Sequence, residues 1–317
     1  MIDQLLSEHR LVLDAKLRPV IGSTFQPTGF PNLGAAEFTR PGEQPSLIVE
    51  SVQSIANHLE AVTWSQPDRR PVDALATLPW VRVVAADGAY LTSSREEPHR
   101  LASPYVRQAQ IEEMSGTDWL IGRLGIKKDR PHDRPVIHSA LFDIDPLCLI
   151  HGVFFSEKAF VGNPKVRRAL HGVIEAHDVR PAISGGVKRD DVRFTADSKA
   201  GAGAEEGYGF VPFSRTEYVA GEIVLSAALD LEQLRNYRLE AAQTRLLGLV
   251  ALFELASLLA RPMRLRTACD LELASVTVRG PGKRSLPALE ELEHELSAAA
   301  SAVGFLAPTV IDAVHKD

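Results

Sequence analysis

Apolar and polar residues alternate along several segments of this chain, which is the period of a β-strand with one buried face. The clearest alternation covers residues 213–231, where Ile223, Leu225 and Leu229 fall on one face and Glu222 on the other. The strands predicted on this basis are residues 11–20, 213–231 and 271–280, together with a hairpin at 79–94 whose turn is Asp87-Gly88.

Other segments repeat their apolar residues every three or four positions, which predicts helices. In one of them, Val52, Ile55 and Leu59 share a face. The helices predicted in this way are residues 3–9, 47–62, 104–124, 164–179, 231–238, 241–260 and 287–303. The apolar run 147–155 fits a buried strand, and a helix is the open alternative.

Glycine, proline and charged residues mark three loops, at residues 22–34, 125–139 and 184–209. Strands and helices alternate along the chain, but hairpins and antiparallel-looking strands are mixed in. This order favours an α+β fold, with helices on one face of an antiparallel sheet, over a doubly wound parallel sheet.

The 317 residues are 45% hydrophobic and 24% charged, which is typical of a soluble globular protein with a large core. The formal net charge of −6 disfavours a protein that is basic all over, as freestanding nucleic-acid binders tend to be. A local basic groove is still compatible with it, because charges are screened within about 10 Å. Two cysteines exclude a disulfide framework and favour the reducing cytoplasm.

Neither a signal peptide nor a membrane span is expected. Charged residues interrupt the N-terminal MIDQLLSEHR where an apolar signal core would lie. The longest apolar stretch, residues 246–260, is too short to cross a bilayer and contains Glu254, so it predicts a buried helix. We therefore expect a cytoplasmic protein without a membrane partner.

One cluster of residue types suggests an enzyme. His138, Asp143, Asp145, Cys148 and His151 are all metal-ligand types within a short span. If they converged, they would support a metal-dependent nuclease or another hydrolase. The competing interpretation is an Asp-Pro turn beside a buried cysteine, and it is favoured because a strand would send Cys148 and His151 to opposite faces. No nucleophile elbow, HExxH or Walker motif is present.

Cations follow glycines in the segment Ser184-Gly185-Gly186-Val187-Lys188-Arg189, and Arg193 follows shortly after. Glycine lets backbone N–H groups approach an anion, and cations neutralise phosphate charge, so this pattern favours a phosphate contact. A solvated surface loop is the competing interpretation.

Two further groups point in the same direction. Arg264 and Arg266 would share one face of an extended segment, although they could equally cap the preceding helix. Phe25 and Gln26 lie in the glycine-punctuated loop after the first strand and could contact a base. Burial of Phe25 in the core is the alternative.

Six segments, in this order, resemble the RAMP family of type I-U (I-G) CRISPR systems, the Cas-seven backbone type. The segments are GSTFQPTGFPNLGAAEF, LIVESVQSIANHLE, DPLCLIHGVFF, SGGVKRDDV, GYGFVPFSRTEYVAGEI and, less exactly, the stretch around LRTACDLE. The resemblance implies a modified RRM (ferredoxin-like) core over residues 1–317, with inserted lobes at about 64–140 and 184–212 and a thumb-like loop or hairpin.

The resemblance also implies a function. Family members line up as copies along one CRISPR RNA, within a Cascade-like complex that holds a large subunit and a guide-processing subunit and pairs the guide with target DNA. It implies neither catalysis nor a cofactor. An RNP aromatic pattern, which stacks bases in ordinary RRMs, is missing, so phosphate contacts are expected to supply the affinity.

Carried over residue by residue, the resemblance makes the Ser184–Lys188 segment the first RNA-contact candidate and the Gly22–Gly29 segment the second. Arg215, Arg264 and Arg266 lie in matching segments, and their contacts are inferred from charge. The RNA-binding residues predicted are Gly22, Ser23, Phe25, Gln26, Ser184, Gly185, Gly186, Lys188, Arg189, Arg193, Arg215, Arg264 and Arg266. Loop 184–209 is expected to be unordered without RNA.

Overall fold

The computed structural model describes residues 2–30, 33–42, 44–189, 210–280 and 284–315. The helices are α1 (Ile2–Leu6), α2 (Val52–Ala61), α3 (Pro104–Gln108), α4 (Gly116–Arg123), α5 (Arg134–Ile144), α6 (Leu147–His151), α7 (Leu231–Arg235), α8 (Ala241–Leu259) and α9 (Leu289–Ala302).

Most strands are short, and two are about twenty residues long. The strands are β1 (Arg10–Pro19), β2 (Gly29–Phe30), β3 (Gly34–Ala35), β4 (Glu37–Arg40), β5 (Gln44–Glu50), β6 (Trp64–Ser65), β7 (Arg70–Pro71), β8 (Trp80–Ala85), β9 (Tyr90–Ser93), β10 (Gln110–Ile111), β11 (Met114–Ser115), β12 (Val153–Phe154), β13 (Lys165–Val166), β14 (Leu170–Arg189), β15 (Phe210–Asp230), β16 (Met263–Arg266), β17 (Cys269–Val278) and β18 (Val310–His315).

Seven strands form the main sheet, in the order β16-β17-β1-β15-β14-β5-β4, and every neighbouring pair is antiparallel. A second sheet has the order β11-β10-β18-β8-β9, and its β8–β18 pair is parallel. The fold is therefore mixed α+β with a mainly antiparallel sheet, as the sequence predicts.

One face of the main sheet is apolar and covered by helices. Leu13 and Ala15 of β1 and Leu225 and Leu229 of β15 are buried on this face, which is the alternation seen in the sequence. Helix α8 lies at the centre of the helical layer, in contact with α2, α6, α7 and α9.

Helix α8 has the length and apolar composition of a membrane span, yet 78% of its most apolar window is buried inside the protein. Its residues from Leu246 to Leu259 are all buried, including Glu254. The predicted buried helix is confirmed. The predicted strands β1, β15 and β17, the β8–β9 hairpin and helices α7 and α9 are confirmed as well.

The helix predicted at residues 164–179 is wrong, because this segment supplies β13 and the first half of β14. Leu170, Ile174 and Ala176 are buried, whereas His171 and Glu175 between them are partly exposed. The same apolar residues fit a period of 2 and a period near 3.6. Pairing with β15 on one side and β5 on the other decides for the strand.

The preferred strand at residues 147–155 is also wrong, since α6 occupies most of the segment. Asp145 accepts a hydrogen bond from the N–H of Leu147 at 3.1 Å, and Pro146 precedes the first helical residue. Both features favour a helix start. Cys148 and His151, three apart on a helix, consequently lie on neighbouring rather than opposite sides.

Three predicted boundaries need correction. The first part of segment 47–62 is strand β5, and α2 begins only after Ser51, whose Oγ accepts from the N–H of Ser54 at 3.3 Å. The helical segment 104–124 is broken by the β10–β11 hairpin, whose turn residues Glu112 and Glu113 have positive φ. The predicted loop 125–139 already contains the start of α5, which Asp133 caps.

The predicted loop 184–209 begins later than expected. Residues 184–189 continue β14, and each pairs with a residue of β15. The remaining part, 190–209, lies outside the described residues. The prediction that the loop is unordered without RNA concerns these residues and stays a prediction.

Candidate nucleic-acid interface

Strands β14 and β15 continue past the rest of the main sheet as a two-stranded ribbon. Strand β5 pairs with β14 only up to His177, and β1 pairs with β15 only from Ile223 onward. From Val179 and Ala220 outward the two strands pair with each other as far as Arg189 and Phe210. Eleven residues of strand span roughly 35 Å, so the ribbon is a long projection.

The ribbon leaves the sheet at an irregular rung. Asp178 has a φ of +52°, which is uncommon for a residue with a side chain. Opposite it lies Gly221, where an added Cβ would come within 3.1 Å of the Asp178 carboxylate. A glycine at this position therefore leaves room for the Asp178 side chain where the two strands separate from the sheet.

The loop after β1 is attached to the base of the ribbon. Phe25 and Tyr218 exchange two backbone hydrogen bonds of 2.9 Å each. The N–H of Gln26 donates to the carbonyl of Ala268 at 2.8 Å, in the turn between β16 and β17. These bonds bring together the predicted Gly22–Gln26 segment, strand β15 and the β16–β17 turn.

Side chains of this loop divide into two kinds. Gly22 and Ser23 are exposed, and Gly22 has a φ of +70° with open space around it. Phe25 is 1% exposed and belongs to the core. The base-contact interpretation of Phe25 is therefore wrong for this structure, and its alternative, core packing, is confirmed.

Arg266 is held by the protein itself. Its guanidinium donates to the carbonyl of Gln26 at 3.0 Å and forms an ion pair with Glu50 of β5. Its side chain is 24% exposed, whereas that of Arg264 is 80% exposed and lies 3.9 Å from the Asp270 carboxylate. The two arginines predicted to act together thus differ: Arg266 joins three elements, and Arg264 is open to solvent.

Arg215 lies in a small polar network at the ribbon base. Its guanidinium donates to Glu217 at 3.1 Å, and the Thr24 hydroxyl donates to the other oxygen of Glu217 at 2.8 Å. The Thr24 bond, followed by that of Arg215, holds the pKa of Glu217 below its ordinary value despite partial burial. Burial and a hydrogen bond to Glu37 raise the pKa of Tyr218 to about 12.

The glycine-rich segment lies on the ribbon directly across from Arg215. The register pairs Ser184 with Arg215, Gly185 with Ser214 and Gly186 with Phe213, and Lys188 and Arg189 follow toward the tip. Eleven of the predicted contact residues thus share the ribbon or its base, although the side chain of Phe25 is buried: Gly22, Ser23, Phe25, Gln26, Ser184, Gly185, Gly186, Lys188, Arg189, Arg215 and Arg266. Arg264 lies on edge strand β16, and Arg193 lies outside the described residues.

The uncovered face of the main sheet is polar and was not singled out from the sequence. It holds a groove of about 440 Å³ in which Lys16 pairs with Glu222 at 2.8 Å and Asp14 pairs with Arg279. The Arg279 bond lowers the pKa of Asp14. The sequence of β1 could have located this face, because Asp14, Lys16 and Arg18 recur there at every second position. Its charges neutralise one another, so it does not form a cationic track.

The predicted metal cluster is dispersed. The ring of His138 packs against the ring of Tyr237, with centroids 4.4 Å apart, and Asp143 is exposed. Asp145 is buried in an ion pair with Arg95 at 3.0 Å. This side chain also accepts from a neighbouring serine hydroxyl at 2.6 Å.

His151 is buried 3.0 Å from Glu254 of α8, and burial lowers the pKa of His151 to about 4. In the described ranges no group of three or more His, Cys, Asp and Glu side chains is placed to hold a metal ion. The convergence on which the hydrolase alternative depends is therefore wrong, since His138, Asp145 and His151 each contact a different structural partner and Asp143 is exposed.

A family model described as CRISPR-associated protein GSU0053 matches residues 11–181 of the chain, which is 171 of 317 residues. No curated protein matches the chain. This match covers more than half of the sequence and includes β1, the loop after it and most of β14.

Two solved structures are similar to the chain. One is a chain of a "CRISPR RNA-guided surveillance complex, pre-nicking", 15% identical, with a TM-score of 0.44 and coverage of 93% of this chain and 87% of that chain. The other is Csc2 of Thermofilum pendens, 12% identical, with a TM-score of 0.32 and coverage of 96% and 80%. Both TM-scores are below 0.5.

Proposed function

Because the chain belongs to the family of CRISPR-associated protein GSU0053, we propose that it is a non-catalytic subunit that binds CRISPR RNA in a type I effector complex. In this proposal it is the backbone subunit of a type I-U (I-G) system, and several copies line one guide as a filament. The large subunit, the guide-processing subunit and target DNA paired with the guide are its other partners, and the cytoplasm is its location.

The observation that carries this proposal is the projecting β14–β15 ribbon with its attached loop. The ribbon is long enough to reach across an RNA strand, and it carries Gly185, Gly186, Lys188 and Arg189 away from the body of the protein. Glycine exposes backbone N–H groups, and the cations neutralise phosphates. In this proposal the ribbon is the thumb and the main sheet is the modified RRM core. The first inserted lobe is residues 64–140, and the second is residues 184–212.

The arrangement favours recognition of the RNA backbone over recognition of bases. Phe25, which the sequence suggested as a base contact, is buried and hydrogen-bonded through its backbone. Phosphate contacts and shape are independent of base identity. A subunit that binds in this way accepts any guide sequence, as a backbone subunit must.

Co-expression tests the function directly. The chain is expressed with a CRISPR array and its neighbouring genes, separated by size exclusion and followed by absorbance at 260 and 280 nm. A large species that carries one RNA of uniform length is the expected result. An RNA-free species of monomer size in the presence of all neighbouring gene products would contradict the proposal.

Substituting two cations tests the site. Lys188→Ala together with Arg189→Ala should weaken binding of guides of different sequence to the same extent. The plot of log affinity against log salt should become shallower by roughly 1.4, because a single strand contributes about 0.7 per neutralised phosphate. Lys127→Ala together with Lys128→Ala is the matched control, since both lysines are exposed and lie outside the ribbon. An unchanged slope with new sequence dependence would refute the phosphate assignment.

A further inference from the structure

A pocket of about 450 Å³ opens at the other end of β14, between the turn that follows β9 and the β12–β13 hairpin. Its cationic lining comes from Arg100, Lys165, Arg167 and Arg168, and His99 and Ser156 add further polar side chains. Aspartate and glutamate are absent from the lining formed by the described residues. From Arg168 to Asp178, where the ribbon leaves the sheet, the chain runs ten residues or roughly 33 Å, so the pocket is separate from the ribbon.

Three of the four cationic side chains that line this pocket form no ion pair within the described residues. Lys165, Arg167 and Arg168 form no ion pair with any part of the chain that the structure describes, and the Nε of Arg168 is buried without a hydrogen-bond partner there. Burial, followed by repulsion from Arg100, lowers the pKa of Arg168. A buried donor on an uncompensated cation costs free energy unless an anion is bound.

The floor of the pocket is rigid. Arg100 donates to both carboxylate oxygens of Glu60 and to the carbonyl of Gly152 at 3.0 Å. Gly152 permits this close packing, because an added Cβ would lie 2.7 Å from the carbonyl oxygen of Val166. Arg100 is thus neutralised by Glu60, and the positive charge that remains in the pocket belongs to the neighbouring cations.

His151 lies behind the pocket wall. Its side chain is 0% exposed and its Nε2 lies 3.0 Å from Glu254, so the part of this residue that borders the pocket is its backbone. Burial lowers the pKa of His151 and raises that of Glu254 well above its ordinary value. The groups left to hold an anion are therefore the cations of the pocket that form no ion pair.

An exposed aromatic ring completes the site. Phe154 of β12 is 48% exposed and lines the pocket. The Nζ of Lys165 lies 5.4 Å from the centre of its ring. An exposed aromatic side chain beside cations is the combination that binds one unpaired base and its phosphate.

We propose that this pocket binds a nucleotide, with its phosphate held by Arg167 and Arg168 and its base stacked on Phe154. A free nucleotide and a single nucleotide of an unpaired strand offer this same chemistry. The proposal goes beyond RNA binding by the ribbon and does not depend on it.

Calorimetry on the purified full chain tests the proposal. It measures the binding of two probes, 5′-AMP and a ten-residue oligothymidylate without terminal phosphates. Arg167→Gln together with Arg168→Gln should weaken binding of at least one of these probes by roughly 10-fold or more, the loss expected when charge-assisted hydrogen bonds are removed. Lys127→Gln with Lys128→Gln removes the same charge elsewhere and should change affinity less than about 2-fold. The proposal would be overturned if the two double variants lost binding affinity to the same extent, or if the unchanged chain showed no saturable binding of either probe.

The Phe154→Leu variant distinguishes a site for a nucleotide from a site for a simple anion. This test remains available if the arginine variants fail to fold. The substitution should weaken binding of 5′-AMP or the strand several-fold while binding of inorganic phosphate stays the same. Unchanged affinity for all three probes would remove the base-stacking part and with it the proposal. Binding of 5′-AMP that the oligothymidylate does not displace identifies a free nucleotide as the ligand, and displacement identifies a strand. Lys188→Ala with Arg189→Ala should leave 5′-AMP binding unchanged, so failure of this proposal and failure of the ribbon assignment are distinguishable.

Discussion

Replacing Arg266 by alanine asks whether this arginine holds the protein together or contacts RNA. In the structure its guanidinium bonds to the Gln26 carbonyl and pairs with Glu50, whose side chain is 4% exposed. Removal of the arginine leaves that buried carboxylate without its ion-pair partner. Breaking a buried pair costs 3–5 kcal/mol, and partial exposure of Arg266 places the expected loss at about 3 kcal/mol.

Urea unfolding followed by circular dichroism measures this loss as a lower midpoint at an unchanged slope. The double variant Arg266→Ala with Glu50→Gln should lose less than the sum of the two single variants, because the two residues interact directly. Arg264→Ala is the control, since its side chain is 80% exposed and should leave the midpoint unchanged.

For RNA binding we expect the larger effect from the Arg264 substitution, which is the reverse of the order expected for stability. Arg264→Ala should make the salt dependence shallower by roughly 0.7, the contribution of one phosphate contact, whereas Arg266→Ala should leave it unchanged. The reasoning is refuted if Arg266→Ala keeps the unfolding midpoint of the unchanged protein and still makes the salt dependence shallower.

Two further predictions follow from buried side chains. Phe25→Ala should lower the free energy of unfolding by roughly 3–5 kcal/mol, as for other buried phenylalanines, and a loss below about 1 kcal/mol in urea unfolding would contradict its place in the core. Glu254 keeps its proton in the folded protein but loses it in the unfolded chain above its ordinary pKa of 4.5, so this carboxyl makes stability fall as the pH rises. The glutamine of the Glu254→Gln variant does not titrate. The free energy of unfolding of this variant should therefore rise relative to that of the unchanged protein between pH 5 and pH 8, by up to about 1.4 kcal/mol per pH unit. A constant difference between the two urea midpoints across that range would disprove a protonated Glu254.

Much of the fold can be read from local patterns. Strand β15 was predictable because every second residue from Ile223 to Leu229 is apolar, and these residues are buried in the structure. Helix α8 was predictable because an apolar run of its length exceeds any ordinary strand. Segment 164–179 was misread because residues such as Leu170 and Ile174 fit both periods, and only the partners β5 and β15 distinguish them.

That misreading also concealed the basic pocket. As a helix, residues 164–179 would turn Arg167 away from Lys165 and Arg168, which are three apart. The extended chain beside Gly152 brings all three around one cavity. The error in local structure therefore became an error about which charges belong together.

By itself, the sequence determined the α+β class, the antiparallel strands, the buried helix α8 and the residues that carry a family resemblance, because each depends on neighbours close along the chain. Only the tertiary structure decided that Phe25 is core and that Arg266 is bound to Glu50 while Arg264 is free of such a buried partner. It also decided that the metal-ligand types are dispersed. The physical reason is that burial and charge pairing are set by contacts between residues about 200 positions apart, such as Phe25 with Tyr218 and Arg266 with Glu50, and a local pattern contains no information about those contacts.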